Sequence, residues 1–290
     1  MHCVLTRVVL GFFKLASYMP LWLLHAFGSV LGVLLWLFDT GHRGRLHSNA
    51  RLAGLTAGQQ LGAVVHAGCM VAELPRLWLG KPVPVVWRGL ETLRAAVQPG
   101  QSLALLTPHM GCFEINAKAY AHEFAHAGLA DAAKPMTVLF RPSRQRGLQE
   151  LVRSAREGDG LHAAPTTMAG VKQLMRALKN KQAVGLLPDQ VPPNGMGMWS
   201  TFLGQPAYTM TLGAKLAQQA DHVLLMWGER LSFGRGFRVH VIKPPTALPN
   251  DIETATQVIN DWVEHVIAQA PQQYMWGYAR FKQPKGTPNL

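Results

Sequence analysis

A histidine and a glutamate follow an apolar, strand-like run in the stretch SLALLTPHMGCFE, residues 102–114. His109 and Glu114 lie five positions apart, so on one continuous helix they would point about 140° away from each other. They can meet only if a turn through Met110 and Gly111 separates the strand from a helix that begins near Cys112. The first question is therefore whether this stretch places an imidazole and a carboxylate together.

Such a pair has a known use in acid–base chemistry. A carboxylate bonded to one imidazole nitrogen fixes the tautomer, and the other nitrogen can then take a proton from a hydroxyl group. In the first turn of a helix, the carboxylate of Glu114 is also stabilised by the helix dipole. The alternative is a packed or capping His109 beside an unrelated acid. The spacing alone fits that alternative slightly better.

Two more polar residues follow predicted strands. Arg141 comes directly after TVLF, and Asp189 comes after AVGLL and Pro188. Taken singly, Arg141 fits an ordinary surface ion pair and Asp189 fits a cap or turn. Ligands of open α/β sheets gather at the carboxyl ends of the strands. We therefore expect Arg141 and Asp189 at the same edge of the sheet as His109.

The elements that position these residues alternate along the chain. Strand-like segments are predicted near Val85, Leu105, Val138, Val184, Leu225 and Val239. Helix-like stretches are predicted at Leu46–Leu79, Ile115–His126, Arg144–Arg156, Met168–Lys179 and Met210–Ala220. Short apolar strands spaced by helices predict an α/β fold with a mixed, mostly parallel central sheet flanked by helices. No linker divides residues 41–290, which are predicted to form one domain.

The N-terminal region, residues 1–40, is predicted to be a membrane anchor. Residues 15–38 contain no acidic residue, lysine or arginine, and as a helix they would be about 36 Å long, against about 30 Å for a hydrocarbon core. Trp22 and Trp36 lie near the two ends, where interfacial tryptophans are expected. A spanning or deep monotopic anchor is favoured over a buried hairpin or a helix lying in the interface. The basic residues that follow favour a cytoplasmic body: Arg43, Arg45 and Arg51.

The charge balance and the cysteines restrict the partners. The formal net charge is +12, with 28 Lys and Arg against 16 Asp and Glu. That excess suits an anionic membrane surface or an acidic carrier protein better than nucleic acid, since no basic run with interleaved aromatic residues occurs. Cys3, Cys69 and Cys112 lack the spacing of metal ligands and indicate a reducing compartment.

Several motifs together resemble one family. HMGCFE resembles the H-x4-E/D signature of glycerolipid and lysolipid acyltransferases, a spacing that also arises by chance. FRPSRQRGLQELVRSAR, LPDQVPP, FLGQPAYT and APQQYMWGYARFKQP follow it in the chain. In this order, the five motifs resemble the lipid A biosynthesis late acyltransferase family over nearly the whole chain.

The resemblance implies an enzyme and assigns roles to its residues. His109 would be the general base and Glu114 its orienting acid, while Arg141, Arg156 and Asp189 would belong to the substrate-binding part of the site. The reaction would transfer an acyl chain from an acyl carrier protein or coenzyme A thioester to a hydroxyl of a lipid A precursor. It would need no cofactor and no metal, and would take place at the cytoplasmic face of the inner membrane.

Two points of that interpretation stay open at the level of sequence. Gln272 and Tyr278 depart from the family pattern, in which Glu and His are frequent, so an acceptor such as a lysophospholipid, ornithine lipid or glycolipid is an alternative. A non-catalytic lipid-binding membrane protein is a more distant one. The oxyanion donors are not identified, although a backbone N–H near Gly111 is a candidate.

Overall fold

A computed structural model describes residues 10–124, 134–140, 157–158, 160–284 and 286. The predicted substrate-binding residues Arg141 and Arg156, and the predicted helix between Arg144 and Arg156, lie outside the described residues. Their roles therefore stay predictions.

A seven-stranded sheet forms the centre of the fold. Its strands are β1 (Val85–Arg88), β2 (Leu103–Leu106), β3 (Met136–Phe140), β4 (Leu161–Pro165), β5 (Ala183–Leu186), β8 (His222–Arg230) and β9 (Phe237–Ile242). They follow the spatial order β1-β9-β8-β2-β5-β3-β4, and only the β8–β9 pair is antiparallel. A separate antiparallel hairpin is made by β6 (Gly197–Phe202) and β7 (Gln205–Met210). The predicted mixed, mostly parallel sheet is confirmed.

Helices cover both faces of this sheet. They are α1 (Leu21–Phe38), α2 (Thr40–Leu52), α3 (Ala57–Ala72), α4 (Leu74–Leu79), α5 (Leu90–Ala96), α6 (Phe113–Phe124), α7 (Met168–Lys179), α8 (Leu212–Gln219) and α9 (Ile252–Ile267). The side chains of β2 alternate between two hydrophobic clusters. Leu103 and Leu105 belong to one, and Ala104 and Leu106 to the other. A strand buried on both faces needs apolar side chains in both directions, which explains the continuous run LALL.

Several elements differ from the predicted ones. The predicted helix Leu46–Leu79 is divided because Gly54, at φ +71°, ends α2, and because Thr56 caps the start of α3. Strands β4, β6 and β7 and helices α5 and α9 were not predicted. The strand β4 reads LHAAP, whose small residues carry little hydrophobic signal. Helix α9 does have apolar residues at helical spacing, a signal from which it could have been predicted.

Helix α1 is the predicted anchor. It has 18 residues, follows Pro20, and is long and apolar enough to cross a membrane. Glycines let it approach α3 closely, because a Cβ atom at Gly28 or Gly32 would overlap the backbone of Cys69 or Val64. The helix is therefore packed against the body along one face.

Candidate active site

The turn that His109 and Glu114 would need in order to meet is present after β2. Met110 forms a bridge with Tyr274, Gly111 forms one with Gly228, and helix α6 begins at Phe113. Gly111 has φ +55°, and a Cβ atom on it would overlap the carbonyl oxygen of Gly228. A residue without a side chain is therefore required at this turn.

Gly111→Ala is expected to destabilise the protein by at least about 2 kcal/mol, because it adds a backbone clash to the cost of a left-handed φ. Gly100→Ala is the matched control. Gly100 also has a positive φ, of +74°, but its Cβ position is open, so only about 1 kcal/mol is expected. Urea unfolding of both variants measures the difference. Equal losses would contradict the predicted clash.

Asp189 holds the imidazole of His109. Oδ1 of Asp189 lies 2.7 Å from Nδ1 of His109, and Oδ2 accepts a hydrogen bond of 2.9 Å from the His109 backbone N–H. The side chain of Asp189 is 2% exposed and that of His109 is 15% exposed. The sequence-based interpretation placed Asp189 in the substrate-binding part of the site. The structure puts its carboxylate on the candidate base, and its predicted role in substrate binding stays a prediction.

The charge of Asp189 defines the tautomer of His109. Burial alone would raise the pKa of Asp189, but the neighbouring His109 and its two hydrogen bonds hold that pKa below its usual value. An ionised carboxylate only accepts hydrogen bonds, so Nδ1 of His109 must carry the proton. Nε2 has no hydrogen-bond partner among the described residues, and in this tautomer it has a lone pair for a substrate proton.

Glu114 faces the same cavity as His109. It lies in the first turn of α6, is 9% exposed, and its Oε2 is 3.4 Å from Nε1 of Trp78. Because Asp189 occupies Nδ1 of His109, Glu114 is a second carboxylate at the site. Its predicted role as the orienting acid stays a prediction.

A mostly apolar cavity of about 400 Å³ lies in front of His109. Its walls include Phe113, Val138, Leu139, Phe140, Leu186 and Met275, and its polar lining residues are His109, Glu114, Lys118, Thr166 and Gln190. A second cavity, of about 590 Å³, shares Lys118 and Leu161 with the first. Trp78, Val83, Val85 and Trp87 line it. The arrangement suits a hydrocarbon chain with one reactive polar end.

The C-terminal segment holds both members of the His109–Asp189 pair. The backbone N–H of Met275 donates to the His109 carbonyl over 3.0 Å. The hydroxyl of Tyr278 accepts a hydrogen bond of 2.9 Å from the N–H of Val191, two residues after Asp189. Tyr278, noted in the sequence as a departure from the family pattern, thus supports the loop that carries the carboxylate.

The backbone N–H groups near Gly111 are engaged within the protein. The N–H of Gly111 donates to the Gln273 carbonyl, and that of Cys112 donates to the Gly228 carbonyl. The N–H of Met110 donates to the Pro108 carbonyl. These three N–H groups therefore already donate hydrogen bonds within the protein, and the identity of the oxyanion donor stays a prediction. Gln190, a lining residue of the cavity, is a candidate donor in their place.

A buried ion pair, not predicted from the sequence, lies behind the turn. Arg230 binds Glu73 through two hydrogen bonds of 2.8 and 2.7 Å and also donates to the Gly111 carbonyl. His25 of α1 lies 3.1 Å from Glu73, and His66 accepts a hydrogen bond of 2.9 Å from Arg230. Both members of the Arg230–Glu73 pair are almost fully buried. The pair and its two histidine neighbours tie α1, the α3–α4 junction and β8 to the turn at Gly111.

Because of this network, the free energy of unfolding should depend on pH. Burial raises the pKa of Glu73, but Arg230 outweighs it and lowers the pKa to about 2. A carboxyl whose pKa falls on folding stabilises the fold above its ordinary pKa, near 4.5, and this contribution is lost as the pH falls toward 2. Glu73→Gln should therefore cost about 3–5 kcal/mol at neutral pH. It should also flatten the stability profile between those two values.

Glu91→Gln is the control, because Glu91 forms an exposed ion pair with Arg94. Its loss should be at most about 1 kcal/mol. Urea unfolding at a series of pH values measures both variants. A Glu73→Gln profile as steep as that of the wild type would show that the acid sensitivity comes from another group.

Among the described residues, no group of three or more His, Cys, Asp and Glu side chains is placed to hold a metal ion.

Comparisons with known proteins identify similar sequences. A family model described as bacterial lipid A biosynthesis acyltransferase matches residues 57–283. The lipid A biosynthesis lauroyltransferase of Escherichia coli is 32% identical over 123 residues, 41% of this chain and 40% of that protein. A lipid A biosynthesis acyltransferase of Haemophilus influenzae is 24% identical over 190 residues, 65% of this chain and 56% of that protein. The lipid A biosynthesis palmitoleoyltransferase of Escherichia coli is 24% identical over 208 residues, 70% and 63% of the two chains. The matches thus span 40% to 63% of these relatives' lengths.

Proposed function

Since this chain belongs to the bacterial lipid A biosynthesis acyltransferase family, we propose that it transfers a fatty acyl group from a thioester donor to a hydroxyl of a lipid A precursor. One observation supports this most directly. A buried carboxylate, Asp189, holds Nδ1 of His109, and Nε2 is left for a substrate at the edge of an apolar cavity. That arrangement is suited to deprotonating a hydroxyl beside a bound hydrocarbon chain.

In the proposed mechanism, Nε2 of His109 accepts the proton of the acceptor hydroxyl. The oxygen forms a bond to the thioester carbonyl carbon, and the carbonyl π electrons move onto its oxygen. When the tetrahedral intermediate collapses, the C–S bond breaks and the thiolate leaves. The imidazolium returns the proton to that sulfur, so the base is restored. Asp189 stabilises the imidazolium between the two transfers.

The acyl chain of the donor would lie in the cavity in front of His109. Its carbonyl carbon must come within reach of the acceptor oxygen at Nε2, while the chain needs apolar walls. Val138, Leu139 and Met275 provide such walls. The neighbouring cavity beside Trp78 and Trp87, which shares Lys118 and Leu161 with the first, can take the remainder of the chain or a chain of the acceptor.

The polar ends of the two substrates would be held by positive charge. Arg141 and Arg156 are proposed to bind phosphate groups of the acceptor, because guanidinium groups bind phosphate through paired hydrogen bonds. The donor is proposed to be an acyl carrier protein, whose acidic surface would be attracted by the net charge of +12. The same charge suits the anionic cytoplasmic face of the inner membrane, the proposed location.

Mass spectrometry of lipid A tests this proposal. Cells that lack the protein should accumulate lipid A with one acyl chain fewer, and expression of the chain should restore the missing chain. Purified protein with acyl carrier protein thioester, a lipid A precursor and a lysophospholipid tests the acceptor directly. Acylation of the lysophospholipid alone would overturn the proposed acceptor. Unchanged lipid A in the deletion strain would contradict a role of this protein in lipid A acylation.

A further inference from the structure

Helix α1 presents one continuous apolar face to solvent. Its exposed large residues recur at helical spacing along the whole helix, namely Trp22, Phe27, Val30, Val33, Leu34, Trp36 and Leu37. The opposite face, which includes Leu24, His25 and Gly28, is buried against the body. An apolar face of this length is not stable in water, so a partner must cover it.

The N-terminal end of α1 is bound to the body. The carbonyl of Ser17, just before the helix, accepts a hydrogen bond of 3.1 Å from Nη1 of Arg76 in α4. The backbone of Trp22 lies so close to Gly234, in the β8–β9 loop, that a Cβ atom on the glycine would overlap it. This end therefore cannot move away from the body without breaking both contacts.

The C-terminal end of α1 leads at once into α2, which is bound to the same body. Asp39 caps α2, Arg45 donates a hydrogen bond of 2.9 Å to the Gly277 carbonyl, and Asn49 donates one of 2.8 Å to the Trp276 carbonyl. The ends of α1, 18 residues or about 27 Å apart, are thus both bound to one body. Between them, Gly32 lies in backbone contact with Val64 of α3.

From these contacts we propose that α1 lies in the plane of the membrane surface, with its exposed face in lipid, and does not cross the bilayer. A crossing helix has its ends on opposite sides of the membrane, and a body on one side cannot hold both. An in-plane position is available instead, because one face of α1 is left exposed by the other residues that the structure describes. This inference specifies the membrane location in the proposed function and rests on it.

A second apolar group lies beside α1. Phe233 is 89% exposed and has φ +60°, a conformation uncommon for a phenylalanine. Its neighbour Gly234 contacts Trp22, so Phe233 extends the exposed face of α1 beyond the helix. We infer that the β8–β9 loop inserts Phe233 into the same leaflet.

Basic residues at the edge of this face favour a bilayer over a second copy of the chain. Lys14 is exposed before α1, and the guanidinium of Arg43 lies 5.7 Å from the ring of Trp36. Arg235 follows the Phe233 loop. Cations around an apolar face attract anionic lipid head groups, whereas a second copy would bring the same positive charges together.

Labelling of single cysteines on either side of α1 tests the position of the helix. In a Cys3→Ser background, Lys14→Cys and Gly44→Cys place thiols before and after α1. Both positions are exposed, and Gly44 has room for a side chain. We expect a membrane-impermeant maleimide to label both in inverted inner-membrane vesicles and neither in right-side-out vesicles.

If one of the two thiols were labelled in inverted vesicles and the other in right-side-out vesicles, α1 would cross the bilayer. That result would overturn the in-plane position but would agree with a membrane location. Protein that stays in the soluble fraction would instead contradict the proposed membrane location itself. A disulfide-linked dimer formed in membranes by Val30→Cys in the same background would show that a second copy covers the face, and would also overturn the inference.

Flotation with vesicles of phosphatidylethanolamine and phosphatidylglycerol tests whether Phe233 of the β8–β9 loop inserts into lipid. Phe233→Ser should lower partitioning by about tenfold, because a large apolar side chain would no longer be buried in lipid. The control is Met168→Ser, which removes another exposed apolar side chain at the start of α7 and should change partitioning less than about twofold. Equal effects of the two substitutions would show that Phe233 does not insert.

Discussion

His109→Ala is expected to lower acyl transfer by about 10²- to 10⁴-fold, the range by which a positioned general base contributes to a rate. The substitution removes Nε2, the only group proposed to accept the hydroxyl proton. Binding of the acyl chain depends on the apolar walls of the cavity, so the loss should fall on kcat. Transfer measured with a labelled thioester donor at saturating lipid acceptor tests this.

The alanine variant also leaves the buried carboxylate of Asp189 without its imidazole partner, which could weaken the fold. His109→Asn is therefore the matched control. An asparagine amide can donate a hydrogen bond to Asp189 but cannot act as a base at neutral pH. We expect both variants to be inactive and the asparagine variant to unfold at a urea concentration closer to that of the wild type. Transfer at the wild-type rate by either variant would overturn the mechanism.

Asp189→Asn is expected to lower transfer by about 10³- to 10⁴-fold, as observed when the carboxylate that orients a catalytic histidine is replaced by its amide. The shape of the site is kept, but an amide has one acceptor oxygen where Asp189 binds two N–H groups of His109. If the amide nitrogen faces Nδ1, the ring takes the other tautomer, and Nε2 then carries a proton and cannot be the base.

Glu114→Gln is the comparison that separates the two carboxylates. Glu114 lines the cavity, whereas Asp189 holds Nδ1 of the base, so we expect the smaller loss from Glu114→Gln. Transfer by the two variants, measured side by side with a labelled thioester donor, tests this. A larger loss from Glu114→Gln than from Asp189→Asn would assign the orienting role to Glu114.

The local features of the site were predictable because each depends on a short stretch of chain. The apolar run of β2 was expected from its residue types, and it is present. The turn at Met110 and Gly111 and a helix starting near Cys112 were the condition for His109 and Glu114 to meet, and both are also present. The polar ends of neighbouring strands were expected at one edge of the sheet. That edge is where His109 and Asp189 meet.

The pairing itself was not predictable from spacing. His109 and Asp189 are separated by 80 positions and meet because β2 and β5 are neighbours, with Leu106 opposite Leu186. The sequence suggested the nearer acid, Glu114, since it shares a motif with His109. Strand order decides which residues share an edge, and many strand orders are compatible with the same apolar segments. Glu73 and Arg230, 157 positions apart, were missed for the same reason.

The sequence by itself determined the α/β class, the candidate base, the family resemblance and the apolar character of residues 15–38. Each of these follows from residue type and local period. Two features became known only from the tertiary structure. Asp189 contacts His109, and both ends of α1 are bound to the same body. The physical reason is that hydrophobic periodicity reports which face of an element is buried, whereas contacts between distant elements depend on how those faces pack together.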